Sequence, residues 1–258
     1  MVWVFNMTKF SEKINWSDRW LRDVLKVTDP PGFFELIEVD MTTSKELIKR
    51  SRKKGFKLTY THIIVRATAI TLKNNPKLHH LVLGGQRFFP SQVDIGLSIS
   101  GNTFIAPVMV LKDAGNKNLQ ALAIEIIDRT IDVRNEHLKM LTTLKKWGWI
   151  VPFGFLRRWI FRTLMQKFSF RRDSVGTFQI SCLSSVDLLV PFMFYTSAVL
   201  GVGRVKDRVV AKNGKPVVCT TMLLACCVDH KVWDGVSTGN FLRELVEILE
   251  SEKLYAEI

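Results

Sequence analysis

Residues 215–235 read KPVVCTTMLLACCVDHKVWDG. The first fifteen letters are mostly apolar or β-branched, which predicts one long strand over 215–229. Asp234-Gly235 then predicts a turn into a helix. His230 therefore stands at the end of a hydrophobic strand, four residues before that turn. A lone histidine in such a place is more often a packed core residue, so position alone does not identify a catalytic group.

Further strands and helices alternate along the chain. The periodicity of apolar residues predicts strands over 34–40, 93–99, 104–111, 176–183 and 198–206, and helices over 45–53, 59–74, 119–137 and 237–250. Thr43 or Ser44 is predicted to cap the helix over 45–53. Strands 93–99 and 104–111 are predicted to form a hairpin across 101–102. Interspersed helices and strands predict an α/β domain.

Composition and charge narrow the class of protein. The chain has 258 residues, of which 47% are hydrophobic and 24% charged, so it can bury a core and is not disordered or collagenous. We expect residues 1–258 to form a single domain. The net charge of +13 is compatible with nucleic acid, an anionic membrane or an anionic small molecule. No nucleic-acid motif is present, so we expect no nucleic-acid partner, and the run KRSRKK at 49–54 is interpreted as a solvated helix end.

Cysteines and apolar runs indicate the cellular setting. The chain has four cysteines, Cys182, Cys219, Cys226 and Cys227. They form neither a CxxC pair nor a cluster at metal-ligand spacing, so we expect reduced thiols and no metal. No secretory signal can be drawn at the N-terminus, and the apolar stretch 147–170 is interrupted by four cations. A cytoplasmic protein without a transmembrane segment is expected.

Residues 146–172 have the most unusual composition in the chain, with seven cations, eight aromatic residues and no acid. Three interpretations stay open for this segment. It covers the acceptor pocket, it packs against a neighbouring subunit, or it lies at a membrane surface with Trp159 and Phe161 in the interface. The third interpretation would make the protein membrane-peripheral.

Several motifs together resemble one family. Asp229 to Gly235, read DHKVWDG, resembles the HxxxDG signature of dihydrolipoamide acyltransferases and chloramphenicol acetyltransferases. GTFQIS at 176–181 resembles the GTFTIS strand of the 2-oxoacid dehydrogenase acyltransferases, and AVLGVGRVK at 198–206 resembles their AILGVGRIK strand. PGF at 31–33, VDMT at 39–42, PKL at 76–78 and FIAPV at 104–108 extend the resemblance over about residues 10–250. The aspartate before the histidine favours the dihydrolipoamide branch.

The resemblance implies roles for individual residues. His230 matches the general base, which suits acyl transfer because a nucleophile attacking a thioester must lose its proton near neutral pH. Ser181 matches the residue that donates a hydrogen bond to the tetrahedral oxyanion. It lies 49 positions before His230, since 230 − 181 = 49, on a different predicted strand.

Supporting residues follow from the same comparison. Asp234 matches a structural carboxylate that pairs with an arginine near the N-terminus, and we expect it to be buried with that partner. The arginine is Arg22 by comparison with the dihydrolipoamide branch and Arg19 by comparison with the chloramphenicol branch. Gly235 is expected to allow a backbone conformation or close approach that a Cβ would prevent.

The resemblance also implies the fold, activity and partners. These are a two-layer sandwich like that of chloramphenicol acetyltransferase, with a mixed sheet flanked by helices, and a homotrimer, or a multiple of trimers, with its active-site channel between subunits. Acyl-CoA is the cosubstrate, no cofactor is bound permanently, and the acyl group passes directly to a hydroxyl or thiol in a ternary complex. CoA carries phosphates, so part of the cationic surplus is expected at its entrance.

Three departures from the family pattern modify this expectation. The sequence shows no lipoyl or peripheral-subunit-binding domain, His79 stands where the family has asparagine, and 146–172 contains an insertion of about 20 residues. A stand-alone member is therefore expected rather than a standard core subunit. Two alternatives are acylation of lipoyl domains on a separate chain and a non-catalytic trimeric scaffold.

Overall fold

The computed structural model describes residues 8–13, 32–100, 106–150, 159, 163–164, 166–191, 193 and 195–258, with side chains from residue 32 onward except at 144–150. The strands are β1 (Thr8–Lys13), β2 (Gly32–Asp40), β3 (Leu81–Leu83), β4 (Gln86–Pro90), β5 (Ile95–Ser98), β6 (Val108–Leu111), β7 (Phe178–Cys182), β8 (Ala198–Val202), β9 (Lys206–Lys212) and β10 (Lys215–Asp229). The α-helices are α1 (Thr42–Lys53), α2 (Tyr60–Asn74), α3 (Leu119–Ile150), α4 (Phe168–Val175) and α5 (Gly235–Glu250). Short 3₁₀ helices lie at Ala114–Asn116 and Lys253–Glu257.

The main sheet is mixed. Its strands follow the order β2-β10-β8-β7-β5-β6, and β9 pairs with the first half of β10. The β5-β7 and β7-β8 pairs are parallel, whereas β2, β8 and β9 run antiparallel to β10. A second, three-stranded sheet has the order β1-β4-β3. The chain is thus an α/β protein with a mixed sheet, as the sequence predicted.

The two faces of the main sheet differ. On one face, strand residues such as Phe178, Leu200 and Cys226 are buried in a core with side chains of α1, α2 and α5. Residues alternate along a strand, so their neighbours point to the other face, which we call the open face. There, the side chains of Phe34 and Leu36 on β2 are 55% and 51% exposed. Neighbouring large apolar side chains that are exposed to this extent indicate a surface that binds another protein or a ligand.

Local sequence explains where the helices begin. Thr59 caps α2, because its hydroxyl accepts a hydrogen bond from the His62 N–H while the His62 ring accepts from the Thr59 N–H. The predicted cap of α1 is wrong. Met41 occupies the N-cap, and the Asp40 carboxylate instead accepts hydrogen bonds from the N–H and hydroxyl of Thr42. The carboxylate of Asp40 thus binds the start of the helix in place of the predicted hydroxyl of Thr43 or Ser44.

Other boundaries also differ from prediction. Helix α3 continues thirteen residues past the predicted end at 137, so the unusual segment 146–172 begins inside it. The strand predicted over 198–206 ends at Val202, and a separate strand β9 begins at Lys206. The predicted strand 104–111 is described only at its end, Val108–Leu111, because 101–105 lie outside the described residues. Strand β10 has the predicted bounds.

Candidate active site

His230 follows the last residue of β10 and lies in a tight turn. The backbone carbonyl of Asp229 accepts hydrogen bonds from the N–H groups of Val232 and Trp233, which closes the turn. The Asp229 carboxylate accepts a further bond from the Lys231 N–H at 3.0 Å. The His230 side chain is exposed, so His230 is not a histidine packed in the core, which was the more common alternative for such a position. The hydrogen-bonded turn therefore holds an imidazole that is accessible to solvent.

Two contacts orient the imidazole. Its Nδ1 lies 2.8 Å from the backbone carbonyl oxygen of Trp233, and its ring meets that of Phe33 edge-on at 4.9 Å between centroids. A carbonyl oxygen can only accept a hydrogen bond, so Nδ1 carries the proton in the neutral ring. Nε2 then holds the lone pair and can take a proton from a nucleophile. Sequence reasoning missed this orienting group because it is a backbone atom.

Asp234 caps helix α5. Its carboxylate accepts a hydrogen bond from the Ser237 N–H at 2.7 Å, and the Ser237 hydroxyl bonds back to the Asp234 N–H at 3.0 Å. These bonds, the Ser237 N–H first, lower the pKa of Asp234. The prediction of a buried carboxylate is wrong, because Asp234 is exposed. Arg19 and Arg22, its expected partners, lie outside the described residues.

Glu35 on β2 is a second carboxylate near this turn, and no sequence motif indicated it. A Cβ at Gly235 would lie 3.3 Å from Glu35 Oε1, and one at Gly239 would lie 3.5 Å from Oε2. Partial burial, followed by the like charge of Asp234, raises the pKa of Glu35. Gly235 does not have a left-handed backbone, and its predicted role in permitting a close approach stays a prediction.

Ser181 is half-buried on β7, where it pairs with Ser98 of β5 and Gly201 of β8. Gly201 in turn pairs with Ala225 of β10. Residues on one such rung point to the same side of a sheet, and Leu36 of β2 pairs with Ala225 as well. Ser181 therefore points to the same side of the sheet as the exposed Leu36. Between them this face is covered, because Ala225 is buried and a Cβ at Gly201 would collide with the backbone carbonyl of Leu189.

The structure does not bring Ser181 and His230 of one chain together. Ala225, on the rung of Ser181, precedes Asp229 by four residues, which is roughly 13 Å at the usual strand rise. The two strand steps from β7 to β10 add a lateral displacement of roughly 10 Å. Neither side chain can span that separation. A site that uses both residues needs them from two copies of the chain.

His79, the departure from the family pattern, is buried. Its side chain is 2% exposed, and its Nδ1 has no hydrogen-bond partner. Burial, together with the adjacent His80, lowers its pKa to about 4. The ring is therefore neutral at physiological pH and adds no charge to the region beside the turn at 229–234.

A charge-specific prediction follows for Asp234. Asp234→Ala should lower the free energy of unfolding by about 1 kcal/mol at neutral pH, because the helix loses its cap. Asp234→Asn should retain the cap, since Asn caps as well as Asp. Hydrogen bonds from Ser237, first that of its backbone N–H, hold the folded-state pKa of Asp234 below the ordinary aspartate value of 3.8. The stabilisation by the charge is therefore complete above that value and is lost as the pH falls through the folded-state pKa.

Urea unfolding of both variants at neutral pH and at about pH 3 measures these differences. The asparagine variant also tests the predicted pairing with Arg19 or Arg22. A clear loss of stability in Asp234→Asn would support an ion pair in addition to the cap. Parent-like stability of Asp234→Asn would contradict the pair and leave capping as the role of Asp234.

Comparisons with known proteins agree with this geometry. Among solved structures, a probable dihydrolipoamide acetyltransferase from Listeria monocytogenes 4b F2365 matches with a TM-score of 0.67 and 20% identity, covering 93% of both chains. The cubic core of the pyruvate dehydrogenase multienzyme complex gives 0.68 at 18% identity, covering 99% of this chain and 94% of that one. A chloramphenicol acetyltransferase gives 0.55 at 13%, covering 93% and 100%. The fold is therefore that of the chloramphenicol acetyltransferase-like acyltransferases.

Sequence comparison gives the family. The model of the 2-oxoacid dehydrogenases acyltransferase (catalytic domain) family matches residues 26–143 and 167–256, and the chain belongs to this family. The lipoamide acyltransferase component of the branched-chain alpha-keto acid dehydrogenase complex of Bacillus subtilis (strain 168) is 27% identical over 230 residues, which is 87% of this chain and 48% of that protein. A succinyltransferase component of the 2-oxoglutarate dehydrogenase complex from Rickettsia bellii (strain RML369-C) is 28% identical over 79% of this chain and 44% of its own length.

The chain spans about half the length of these curated relatives. The residues between the two matched ranges, 144–166, overlap most of the predicted insertion. Residues 167–172, which the prediction included in the insertion, fall within the matched part and enter helix α4. The last arginines of the basic segment thus belong to the family domain itself.

Proposed function

We propose that the chain transfers an acyl group from acyl-CoA to a thiol or hydroxyl acceptor, with His230 as the general base. The observation that carries this proposal is the bond from His230 Nδ1 to the Trp233 carbonyl, which leaves Nε2 free to accept a proton at the exposed end of β10. Membership of an acyltransferase family supplies the reaction class. Acyl-CoA acts as a cosubstrate, and no permanently bound cofactor takes part in the proposed steps.

The reaction has two steps. His230 Nε2 takes the proton of the acceptor thiol or hydroxyl as that group attacks the thioester carbonyl. The carbonyl oxygen becomes an oxyanion, to which the Ser181 hydroxyl donates a hydrogen bond. When the tetrahedral intermediate collapses, the carbon–sulfur bond to CoA breaks and the imidazolium returns its proton to the departing thiolate. The acyl group ends on the acceptor, and the enzyme regains its starting protonation state.

The site is proposed to lie between subunits of a trimer. Ser181 lies on the open face with the exposed Phe34 and Leu36, and it is too far from His230 of its own chain to share a substrate. A second copy docked on this face would cover the apolar side chains and supply its His230. In a trimer each subunit would then give a histidine to one neighbour and a serine to the other, which makes three sites.

Subunit complementation tests this arrangement. Ser181→Ala and His230→Ala should each be strongly impaired as separate proteins, by about 10²-fold or more. After denaturation and refolding together in equal amounts, random trimers should recover about a quarter of the parental activity. This fraction follows because a site is intact only when one subunit keeps its histidine and the neighbour keeps its serine. The measurement is free CoA formed from acetyl-CoA and dihydrolipoamide.

Two controls make the complementation decisive. Each variant refolded alone should regain none of this activity, and the parent refolded alone should regain most of it. Sedimentation should show trimers in every sample. If the mixed sample were no more active than the two variants separately, both residues would have to act within one chain or one of them would not act at all.

The acceptor defines the alternatives to a small-molecule acyltransferase. The relatives named above are lipoamide and dihydrolipoyllysine-residue acyltransferase components of 2-oxoacid dehydrogenase complexes. Acylation of lipoyl domains on a separate chain uses the same residues and differs only in the acceptor. A non-catalytic trimeric scaffold is the second alternative. Turnover of acetyl-CoA by the parent with dihydrolipoamide, a lipoyl domain or neither separates the three.

Membrane contact through 146–172 stays a prediction. Within the described parts of this segment, the side chain of Trp159 is 63% exposed and that of Phe170 is 37% exposed, whereas Phe161 lies outside them. No helix in the described portion of the chain has the length and apolar character needed to cross a bilayer. Exposed aromatic residues among cations suit either an interface with a neighbouring subunit or a membrane surface.

A further inference from the structure

Arg171 on helix α4 is a buried cation that the proposed reaction does not use. Its side chain is 8% exposed, although it belongs to the basic segment 146–172, which the sequence predicted to cover the acceptor pocket, to pack against a neighbouring subunit or to lie at a membrane surface. Burying a guanidinium is costly unless its N–H groups find partners. The contacts of Arg171 therefore indicate what its burial achieves.

Those contacts lead to one short segment. The Arg171 Nε donates a hydrogen bond to the backbone carbonyl of Tyr195, and its guanidinium carbon lies 5.5 Å from the centre of the Tyr195 ring. Tyr195 has a left-handed backbone, with φ of 60°, which a residue with a bulky side chain rarely adopts. A carbonyl bond and a ring contact from the same arginine hold this unfavourable conformation in place.

The segment that begins at Tyr195 reaches the catalytic turn within two residues. The backbone carbonyl of Ser197 accepts a hydrogen bond from the N–H of Asp229 at 2.9 Å, and His230 is the next residue. On its other side, Ser197 is fixed because its hydroxyl donates to the Thr177 carbonyl at 2.9 Å. A continuous set of contacts thus runs from Arg171 through Tyr195 and Ser197 to the residue before the general base.

Charge supports the same connection. Burial lowers the pKa of the Arg171 guanidinium to about 10, and the negative charge of Asp229 acts in the opposite direction. The Asp229 carboxylate has a side-chain exposure of only 14% and forms an ion pair with Lys231 at 3.3 Å.

We infer that Arg171 is a positioning residue for the proposed acyl transfer, acting on His230 through Tyr195, Ser197 and Asp229. Its role is to keep the turn at 229–233 where Nε2 meets the nucleophile. Displacement of a catalytic group by about 1 Å can cost on the order of 10²-fold in rate. This inference rests on the proposed function, since it assigns a support for the same base.

Arg171→Met tests the inference. Met keeps much of the apolar volume and removes the guanidinium, so we expect kcat to fall by about 10- to 100-fold with little change in KM for acetyl-CoA. Arg171→Lys can still place a cation near the Tyr195 carbonyl and Asp229, and we expect it to recover a large part of kcat. Rates are measured with acetyl-CoA and dihydrolipoamide as free CoA formed.

Arg66→Met is the matched control. Arg66 is likewise a largely buried arginine, with 13% side-chain exposure, and it forms an ion pair with Glu257 at 2.6 Å. It lies on α2, and its hydrogen bonds go to Glu257 and to the carbonyl of Gly115 rather than to the segment 195–197 or the turn at 229–233. Both Met variants should lose thermal stability, but only Arg171→Met should lose kcat. Loss of stability without loss of kcat in Arg171→Met would overturn the inference.

The outcomes separate this inference from the proposed function. If the parent did not form CoA, or if His230→Ala were as active as the parent, the proposed function itself would fail. If His230→Ala lost activity while Arg171→Met kept it, only the inference about Arg171 would fail. Should Arg171→Met not fold, Arg171→Gln takes its place as the neutral variant. A folded Arg171→Gln with parental kcat would overturn the inference, whereas a fall in kcat that Arg171→Lys restores would support it.

Discussion

His230→Ala should reduce kcat for acyl transfer by about 10²- to 10⁴-fold, which is the usual contribution of a general base. The imidazole is exposed, and its one hydrogen bond to a described residue joins Nδ1 to the Trp233 carbonyl, so its removal should leave the fold and KM for acetyl-CoA nearly unchanged. A fall in kcat without a rise in KM means that the lost interaction acts in the transition state. Steady-state formation of CoA from acetyl-CoA, with dihydrolipoamide as acceptor, measures both constants.

His137→Ala is the matched control for this variant. His137 lies on α3, which packs against α2 and β6 rather than against the turn at 229–234. Replacement of this second accessible histidine should leave kcat within about two-fold of the parent, as expected for a surface change away from the chemistry. Parental activity in His230→Ala would exclude His230 as the base, whatever His137→Ala shows.

The strand that carries His230 could be predicted from sequence because its signal is local. Strand β10 has an unbroken apolar run that ends at the charged Asp229, and both ends agree with the prediction. Helix α3 was predicted too short, because residues 138–143, the part beyond residue 137 whose side chains are described, are mostly exposed and show no periodic buried face. The cap of α1 was missed because several residues that can cap a helix lie within one turn. The hydroxyl of Thr43 bonds to the carbonyl of Glu250, far away in the sequence, whereas Asp40 accepts a hydrogen bond from the Thr42 N–H.

The candidate site was predicted residue by residue but not as a geometry. His230 and Ser181 were found through motifs, and the structure shows each on the predicted strand end or strand. Their separation within one chain depends on the register of β7, β8 and β10, which no local pattern encodes. The carbonyl that orients His230 and the carbonyl held by Arg171 are backbone atoms, so residue identity gives no signal for them. Glu35 was missed because alternation explains it as an ordinary strand residue.

Trp233 links the catalytic turn to the core, and its replacement should have the largest effect on stability. Its side chain is 1% exposed and packs against Phe241 at 5.2 Å and Phe178 at 6.2 Å between ring centres. Trp233→Ala should therefore lower the free energy of unfolding by about 3 to 5 kcal/mol, through lost burial and the cavity left behind. The indole N–H has no hydrogen-bond partner, so packing rather than a lost polar contact accounts for this expected loss.

Urea unfolding of Trp233→Ala, Trp233→Phe and Val236→Ala compares their free energies of unfolding. The comparison shows whether the loss in Trp233→Ala comes from the packing of this ring or from any substitution near the turn. Trp233→Phe keeps an aromatic ring against Phe241 and should lose clearly less stability than the alanine variant. Val236 is three residues away and 75% exposed, so Val236→Ala should change the free energy of unfolding by no more than about 0.5 kcal/mol. Because the Trp233 carbonyl accepts the bond from His230, a cavity beneath it should also loosen the imidazole and lower kcat. A Trp233→Ala protein as stable as the parent would contradict this prediction. It would mean that packing of the Trp233 ring does not hold the turn that carries His230.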